Sequence, residues 1–300
     1  MIGNHDVTLD EPFYTEHGLY FHNQHPQDSQ LCQNLVKQYK DITFLTHESA
    51  TIRLTKEDGP RNTFKVFGSP YSPQNGLWAF GYSPEDAKIL WDQVPLDTDV
   101  VITHTPAKYH RDESKHGGAG GCEILRQALW RVRPSLAICG HIHEGRGVER
   151  VLWDLASPNV KYKELQTVCQ EDPGVNNKKH SLFNFSHKSP EPLQNSGPWD
   201  GSPVQPVPNL QWQGGFEHTE PAIRGQGGLP PPGHSDMEVL NGRLGRKETC
   251  VINAAMMATS WPYKHSGGNK YNKPIVIDID LHLSADNAEA FHAEDPQPAD

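Results

Sequence analysis

Long hydrophobic runs are missing from this sequence. Its longest apolar stretch, Val251 to Ala258, is far shorter than the roughly 20 residues that a helix needs to cross a bilayer. Hydrophobic residues make up only 35% of the chain, and the mean hydropathy is -0.68. Glycine and proline are abundant, with 26 and 25 residues. Because this composition is poor for a uniformly packed domain, we expect a protein without a membrane span and with part of its chain unstructured.

Paired cysteines and a basic charge are also missing. The five cysteines are odd in number and form no C-x-x-C pair, which is typical of ordinary thiols in a reducing compartment. A net charge of -10 argues against binding to a nucleic-acid duplex. The first residues are polar and do not resemble a charged-then-apolar leader, so we expect a cytoplasmic protein.

Up to about residue 155, short apolar runs alternate with helical patterns. Helices are predicted over 84–92, with Ser83 as the N-cap, and over 123–131. Strands are predicted from runs of β-branched residues at 42–45, 50–54, 64–67, 99–102 and 136–139. Strands that alternate with helices predict an α/β fold with several buried strands.

The amino-acid composition of the chain changes after this first segment. The next 90 or so residues are rich in proline, glycine, asparagine and serine without a sustained period, which is typical of disorder. Two further strands are predicted beyond them, at 249–255 and 274–279. The predicted organisation is a first domain segment at 1–155, a disordered insertion at 156–247, terminal strands at 248–283 and an acidic tail at 284–300. A sheet tolerates such an insertion because the entropy of loop closure grows slowly with loop length.

Histidine and asparagine side chains recur in the loops that directly follow apolar strands. The set is Asn4, His5, His104, His141 and His143. The carboxyl ends of strands in an open α/β sheet lie at one edge and collect ligands, so we expect these side chains to converge. Neutral imidazole nitrogens with carboxyl or amide oxygens suit a divalent cation that activates water. The pattern therefore predicts a metal site.

The ordered set resembles the calcineurin-like metallophosphoesterase superfamily, whose motifs run D-x-H, G-D, G-N-H-D/E, H and G-H-x-H. The last three motifs match Gly3-Asn4-His5-Asp6, His104 and Gly140-His141-Ile142-His143. The surrounding sequence resembles the subgroup of metallophosphoesterase domain-containing proteins in Gly68-Ser69-Pro70, in Gly76-Leu77-Trp78-Ala79-Phe80 and in the run from Gly121 to Gly145. The resemblance implies a metallophosphoesterase-like β-sandwich flanked by helices and lacking its first strands.

The resemblance also implies roles for the matched residues. The second of two metals would be bound by Asn4, His104 and His141, and the first by His143. His5 would be the catalytic histidine, which donates a proton to the leaving group or holds a phosphate oxygen. Asp6 would orient the imidazole of His5. The implied metals are manganese, iron or zinc, and the spacing does not choose among them.

Two motifs of the superfamily have no counterpart in this sequence. These are D-x-H and G-D, whose carboxylates bind the first metal and bridge the pair. We therefore expect one metal or none in this chain, with His143 as the sole ligand of the first metal. Two explanations stay open: a truncated gene model of a longer functional protein, or a degenerate paralogue.

Other residues have alternative interpretations. Arg146 and Asn253 are predicted to contact substrate, although a solvated loop charge and a hydrogen-bonding role explain them equally simply. Trp78 and Phe80 would either stack on a nucleobase or pack in a loop. His110 is assigned to a flexible hinge loop before the second predicted helix.

The predicted function is metal-dependent hydrolysis of a phosphodiester or phosphomonoester, with a small nucleotide-like molecule as substrate. One alternative is a catalytically dead protein that binds phosphate or metal. Another is an interaction scaffold that acts through the insertion, with protein partners that the sequence does not identify.

Overall fold

The computed structural model describes residues 2–54, 62–114, 118–154, 162–174, 176–195, 246–258 and 270–281. The helices are α1 (Glu11–His22), α2 (Ser29–Lys37), α3 (Ala87–Trp91) and α4 (Glu123–Val132). The strands are β1 (Glu48–Arg53), β2 (Thr63–Ser69), β3 (Ser72–Pro73), β4 (Gly81–Tyr82), β5 (Val100–Thr103), β6 (Leu136–Cys139), β7 (Gly147–Trp153), β8 (Glu164–Gln170), β9 (Ser181–Asn184), β10 (Glu248–Asn253) and β11 (Ile275–Asp278).

Seven strands form one large sheet in the order β1-β2-β5-β6-β10-β7-β8. The four central strands β2, β5, β6 and β10 are parallel, and the outer pairings are antiparallel. The register places Ser69 opposite Thr103, and Cys139 opposite Asn253. The carboxyl ends of all four parallel strands therefore lie along one edge of the sheet.

Each face of this sheet is covered by a different layer. On one face, Leu125 of α4 packs with alternate strand residues such as Val101 and Val251. On the other face, the two-stranded parallel sheet of β9 and β11 packs through Phe183 against Ile252 and its neighbours. Full burial of one such large side chain contributes about 1.5–3 kcal/mol. Strands buried on both faces explain why β10 is buried at every position.

The predicted α/β class is confirmed, with a large central sheet and few helices. Two local predictions are wrong. Residues 42–45 form no strand, since Ile42 is half exposed and has no neighbouring strand to pair with. The helix predicted from residue 84 begins at Ala87, because the Ser83 hydroxyl bonds to Asp86 and leaves a turn before it. Among the described helices, none is both long and apolar enough to cross a membrane.

Two strands lie inside the range predicted as a disordered insertion, 156–247. β8 pairs with β7 at the edge of the large sheet, and β9 pairs with β11. The prediction was too broad here because β8 is mostly exposed and β9 buries only alternate residues, so neither has a continuous apolar run. Residues 196–245 and the predicted tail, 284–300, lie outside the described residues.

The residues that flank 196–245 are joined by backbone and side-chain hydrogen bonds. The side-chain oxygen of Asn195 accepts hydrogen bonds from the backbone N–H groups of Lys247 (3.1 Å) and Glu248 (3.0 Å). The N–H of Lys247 also donates to the carbonyl of Gln194 at 3.3 Å. Residues on either side of 196–245 are therefore in direct contact.

This contact predicts different outcomes for two deletions. Replacing 196–245 by a short Gly-Ser linker should change the free energy of unfolding by no more than about 2 kcal/mol, because the flanking residues are already in contact and loop-closure entropy grows slowly with loop length. Replacing 156–247 should abolish cooperative unfolding, because Phe183 and its strand leave the core. Urea denaturation of both variants measures this. A non-cooperative transition in the shorter deletion would contradict the prediction.

Candidate metal and phosphate site

His104 and His141 are brought together by adjacent parallel strands. His104 directly follows β5, and His141 follows β6 after Gly140. The backbone N–H of His104 donates to the carbonyl of Ser69 at 2.9 Å, and the N–H of Gly140 donates to the carbonyl of His104 at 3.1 Å. These bonds continue the backbone hydrogen bonding between the strands past the strand ends. The two imidazole rings meet edge to face, with centroids 4.7 Å apart.

Three donor atoms converge at this edge. Nε2 of His104 lies 2.8 Å from Oδ1 of Asn4 and 3.0 Å from Nδ1 of His141. A proton on Nε2 satisfies only one of these two contacts. A single cation among the three atoms would be coordinated by two ring nitrogens and an amide oxygen, a donor set that fits a divalent transition metal. In the described part of the chain, no group of three or more His, Cys, Asp or Glu side chains is arranged to hold a metal ion, so the amide of Asn4 is essential to this set.

The electrostatics of the pair keep both imidazoles neutral. Burial, followed by the nearby His141, His5 and His143, lowers the pKa of His104 to about 3. Burial and the charges of His143 and His5 also lower the pKa of His141. Neutral rings retain the lone pairs that metal binding requires.

The backbone at His141 has an unusual conformation. Its φ is 65°, and the N–H of Ile142 donates to the carbonyl of Gly140 at 2.7 Å across it. A non-glycine residue with positive φ at the centre of such a tight turn is strained, and strain of this kind clusters at functional sites. His143 begins the 3-10 turn that follows. Its proximity contributes to the lowered pKa values of His104 and His141, and no hydrogen bond described in the structure joins it to the three donor atoms.

Asn4 is held by a tight turn of Gly3 to Asp6. The N–H of Asp6 donates to the carbonyl of Gly3 at 2.9 Å, and Oδ2 of Asp6 accepts from the N–H of Gly3 at 2.7 Å. The resemblance implied that Asp6 orients the imidazole of His5, but the structure gives this carboxylate a different partner. A Cβ on Gly3 would lie 2.3 Å from ring atoms of His104, so the turn and the ring pack without space between them.

His5 lies beside an aromatic side chain at the edge of the site. It is exposed, and its ring centroid lies 4.1 Å from that of Trp78. The N–H of Ala79 donates to the carbonyl of Asn4 at 3.2 Å, which attaches the Trp78 loop to the turn that carries Asn4. Phe80, by contrast, is buried in a small core with Val7 and Ala79, so only Trp78 stays accessible.

Known proteins are similar to this sequence over about half of its length. The chain is 39% identical over 155 residues to an Emericella nidulans protein named "Probable rhamnogalacturonate lyase C", a match that covers 51% of this chain and 13% of that protein. It is 30% identical over 152 residues to a Caenorhabditis elegans protein of the UPF0046 group (48% of this chain, 37% of that protein). It is 29% identical over 154 residues to human metallophosphoesterase domain-containing protein 1 (49% and 44%). The chain is related to the metallophosphoesterase domain-containing proteins.

These relatives confirm the resemblance that the motifs predicted. No protein-family model matches the chain. The chain spans less than half the length of each of these relatives, from 13% to 44%. What their names say of activity therefore describes those proteins and is only a basis for proposals here.

Two residues predicted to contact substrate also have partners within the protein. The side chain of Asn253 donates to the carbonyls of Arg111 (2.9 Å) and Ile142 (2.8 Å) and accepts from the N–H of Ala255. It is fully buried and ties the end of β10 to the loop that carries His141. Arg146 donates to the carbonyl of Lys273 at 2.6 Å. In this relative of the metallophosphoesterases, both side chains support the loops of the site.

A buried ionic network supports the loop after His104, and the sequence analysis missed it. Nδ1 of His110 lies 2.7 Å from Glu149, and Nε2 lies 3.2 Å from Glu164, which also pairs with Arg126 at 3.2 Å. Burial lowers the pKa of His110, but the hydrogen bonds and charges of the two glutamates outweigh it and raise the pKa. His110 is 1% exposed, so this residue of the predicted hinge is a fixed part of the fold, while residues 115–117 lie outside the described residues. The sequence offers little indication of this network, because the two glutamates lie 39 and 54 positions from His110.

The packing of Gly3 predicts a strong effect of one methyl group. Gly3→Ala should displace the ring of His104 and lower the affinity of this candidate site for added Zn²⁺ at least about tenfold, as metal sites lose such amounts when a supporting contact is removed. Calorimetric titration measures the affinity, and NMR signals of the His104 ring report its displacement. Gly81→Ala is the control, because its Cβ would lie 3.4 Å from a flexible glutamine. Unchanged affinity and unchanged His104 signals would contradict the packing argument.

The His110 network predicts a pH-dependent stability. Its imidazolium stabilises the fold fully below its ordinary pKa of 6.5, and the contribution is lost as the pH rises through the higher folded pKa. His110→Gln should therefore cost about 3–5 kcal/mol at pH 6 and progressively less toward pH 9. Urea unfolding of both proteins across this range measures the difference, with His25→Gln in an exposed loop as control. A difference that does not vary with pH would contradict the prediction.

Proposed function

We propose that this chain binds one divalent metal ion through Asn4, His104 and His141 and hydrolyses phosphoester bonds with His5 as general acid. The observation that carries this proposal is the convergence of Oδ1 of Asn4, Nε2 of His104 and Nδ1 of His141 at the carboxyl ends of parallel strands. Similarity to metallophosphoesterase domain-containing protein 1 over half the chain supports the reaction class.

The donor set supports manganese, iron or zinc rather than calcium or magnesium. Imidazole nitrogens suit the first group, whereas the second prefers oxygen ligands alone. A bound ion supplies Lewis-acid stabilisation of charge on a phosphoryl oxygen. The set contains no carboxylate, so we expect weaker binding than at a site with acidic ligands. His143 stands beside the set and adds a further imidazole to the same edge of the sheet.

The roles of the protein groups follow from where they lie. His5 is exposed next to the donor set, where it would donate a proton to the departing oxygen of the substrate. Asn4 and His5 are adjacent in one tight turn, so the metal ligand and the acid are held by the same backbone. Because Arg146 and Asn253 have partners in the protein, we assign substrate binding to His5 and to the bound ion. The substrate we propose is a small phosphoester with a nucleotide-like organic group.

One alternative function has an observation in its favour. Metal binding without turnover would suit a neutral set of two histidines and one asparagine, because none of these three donor groups is a carboxylate. A scaffold that acts through its predicted insertion is the other alternative, and residues 196–245 lie outside the described structure. The shorter deletion described above tests the scaffold without removing β8 and β9.

Metal binding and hydrolysis are tested together on five proteins. Wild type and His25→Ala should bind about one Mn²⁺ or Zn²⁺ per chain and hydrolyse bis-p-nitrophenyl phosphate. His104→Ala and His141→Ala should each lose at least about tenfold in metal affinity and the accompanying turnover. His5→Ala should keep the metal but lose about 10²–10⁴-fold in kcat for substrates with poor leaving groups.

Three results would change the proposal. Metal binding by wild type without any turnover would support the non-hydrolytic alternative. Binding that survives His104→Ala and His141→Ala would show that the metal is held elsewhere. Equal loss of turnover in His25→Ala, an exposed loop residue, would show that the assay reports general damage and not the site.

A further inference from the structure

We propose that Trp78 is the positioning residue of His5, an inference that rests on the proposed role of His5 as general acid. A general acid transfers its proton efficiently only when its ring is held toward the departing oxygen. The group expected to orient His5 was Asp6. Its carboxylate instead accepts the N–H of Gly3 at 2.7 Å, and the described ring contact of His5 is with Trp78 at 4.1 Å between centroids.

The backbone directly after Trp78 is fixed by two hydrogen bonds. The N–H of Ala79 donates to the carbonyl of Asn4 at 3.2 Å, one residue before His5. The N–H of Phe80 donates to Oδ2 of Asp10 at 2.6 Å, and Phe80 has a positive φ of 55° that turns the chain. Since both hydrogen bonds reach the segment that carries His5, the indole and the imidazole are held by one framework.

A second aromatic layer supports the indole from behind. The ring of Phe21 in α1 lies 5.7 Å from Trp78, and Phe13 of the same helix lies 5.8 Å from Phe21. Asp10 caps this helix, since its Oδ1 accepts the N–H of Phe13 at 3.2 Å. The side chain that holds the Trp78 loop therefore also fixes the helix behind the indole.

The exposure of His5 explains why such a support is needed. His5 lies in a turn, is exposed and shows no described hydrogen bond from its ring, so solvent alone would leave several rotamers accessible. Contact with the indole at a tilt of 58° removes the rotamers that would place the imidazole where Trp78 lies. Trp78 is itself only 37% exposed, so its own position is restricted by the loop and α1.

The reaction step defines what the positioning would change. The bond from phosphorus to the leaving oxygen breaks as a bond from the oxygen of water to phosphorus forms. A proton passes from the imidazolium of His5 to the leaving oxygen, and the water proton returns to His5 or to solvent. This transfer matters most for a basic leaving group such as phenolate and least for p-nitrophenolate.

Two substrates with the same aromatic body separate positioning from stacking. Diphenyl phosphate and bis-p-nitrophenyl phosphate differ mainly in the basicity of the leaving group. Trp78→Leu should lower kcat for diphenyl phosphate about 10²-fold, the loss typical of a misplaced catalytic group, with little change for bis-p-nitrophenyl phosphate and in metal content. Trp78→Phe, which keeps an aromatic ring, should restore most of the activity. His5→Ala should show the same selectivity, and the double variant should be no worse than His5→Ala.

The same experiment separates failure of the positioning role of Trp78 from failure of the proposed hydrolysis. Leu77→Ala, in the same loop and 42% exposed, should change neither substrate. Equal losses for both substrates, or effects that add in the double variant, would overturn the positioning role while leaving the hydrolysis intact. An increase in KM alone would show that Trp78 binds substrate instead. No turnover of either substrate by wild type would overturn the proposed function and the role of Trp78 in it.

The contact itself has a readout that does not depend on turnover. In ¹H–¹³C spectra, removing the indole should move the His5 ring signals, because they lose its ring current, and should leave those of His25 unchanged. His5 signals that stay in place in Trp78→Leu would show that the two rings are not in contact in solution. That result would overturn the inference whatever the kinetics show.

Discussion

The parallel register of β5, β6 and β10 is the constraint on which the rest of this structure depends. It aligns the strand ends, so that His104 and His141, 37 positions apart in sequence, become neighbours whose rings touch. Backbone hydrogen bonds continue the ladder one residue beyond each strand, which leaves the two imidazoles little freedom to separate. The helices on one face and the small sheet on the other bury the strands from both sides and thereby maintain that register.

A neutral donor set and a strained backbone stand side by side at this edge of the sheet. The pKa of His104 falls to about 3 because the ring is partly buried and lies near three other histidines. Such a ring is a poor proton donor but a ready metal ligand. His141 adopts a positive φ, a conformation that a histidine tolerates but does not favour. The strained backbone of His141 lowers the stability of the fold, and such strain is typical of sites where proteins bind ligands.

Polar contacts outside the donor set hold the surrounding loops in place. Asn253 links the end of β10 to the loop after His104 and to the loop that carries His141. His110 fixes the first of these loops to β7 and β8 through two glutamates. The second layer is therefore built from residues that are distant in sequence, and it uses side chains that a motif search assigns to turns or substrate contacts.

The sequence by itself determined the α/β class, most of the central strands and the identity of the residues at the strand ends. These follow from local physics, since β-branched runs form strands and ligands gather at strand carboxyl ends. Only the tertiary structure decided that Asn4, His104 and His141 share one point, that Asp6 bonds to Gly3, and that Trp78 lies on His5. It also placed β8 and β9, which have no strong pattern of their own and become strands by pairing with distant partners. Contacts of this kind depend on packing between segments, and the residues within any single segment do not encode them.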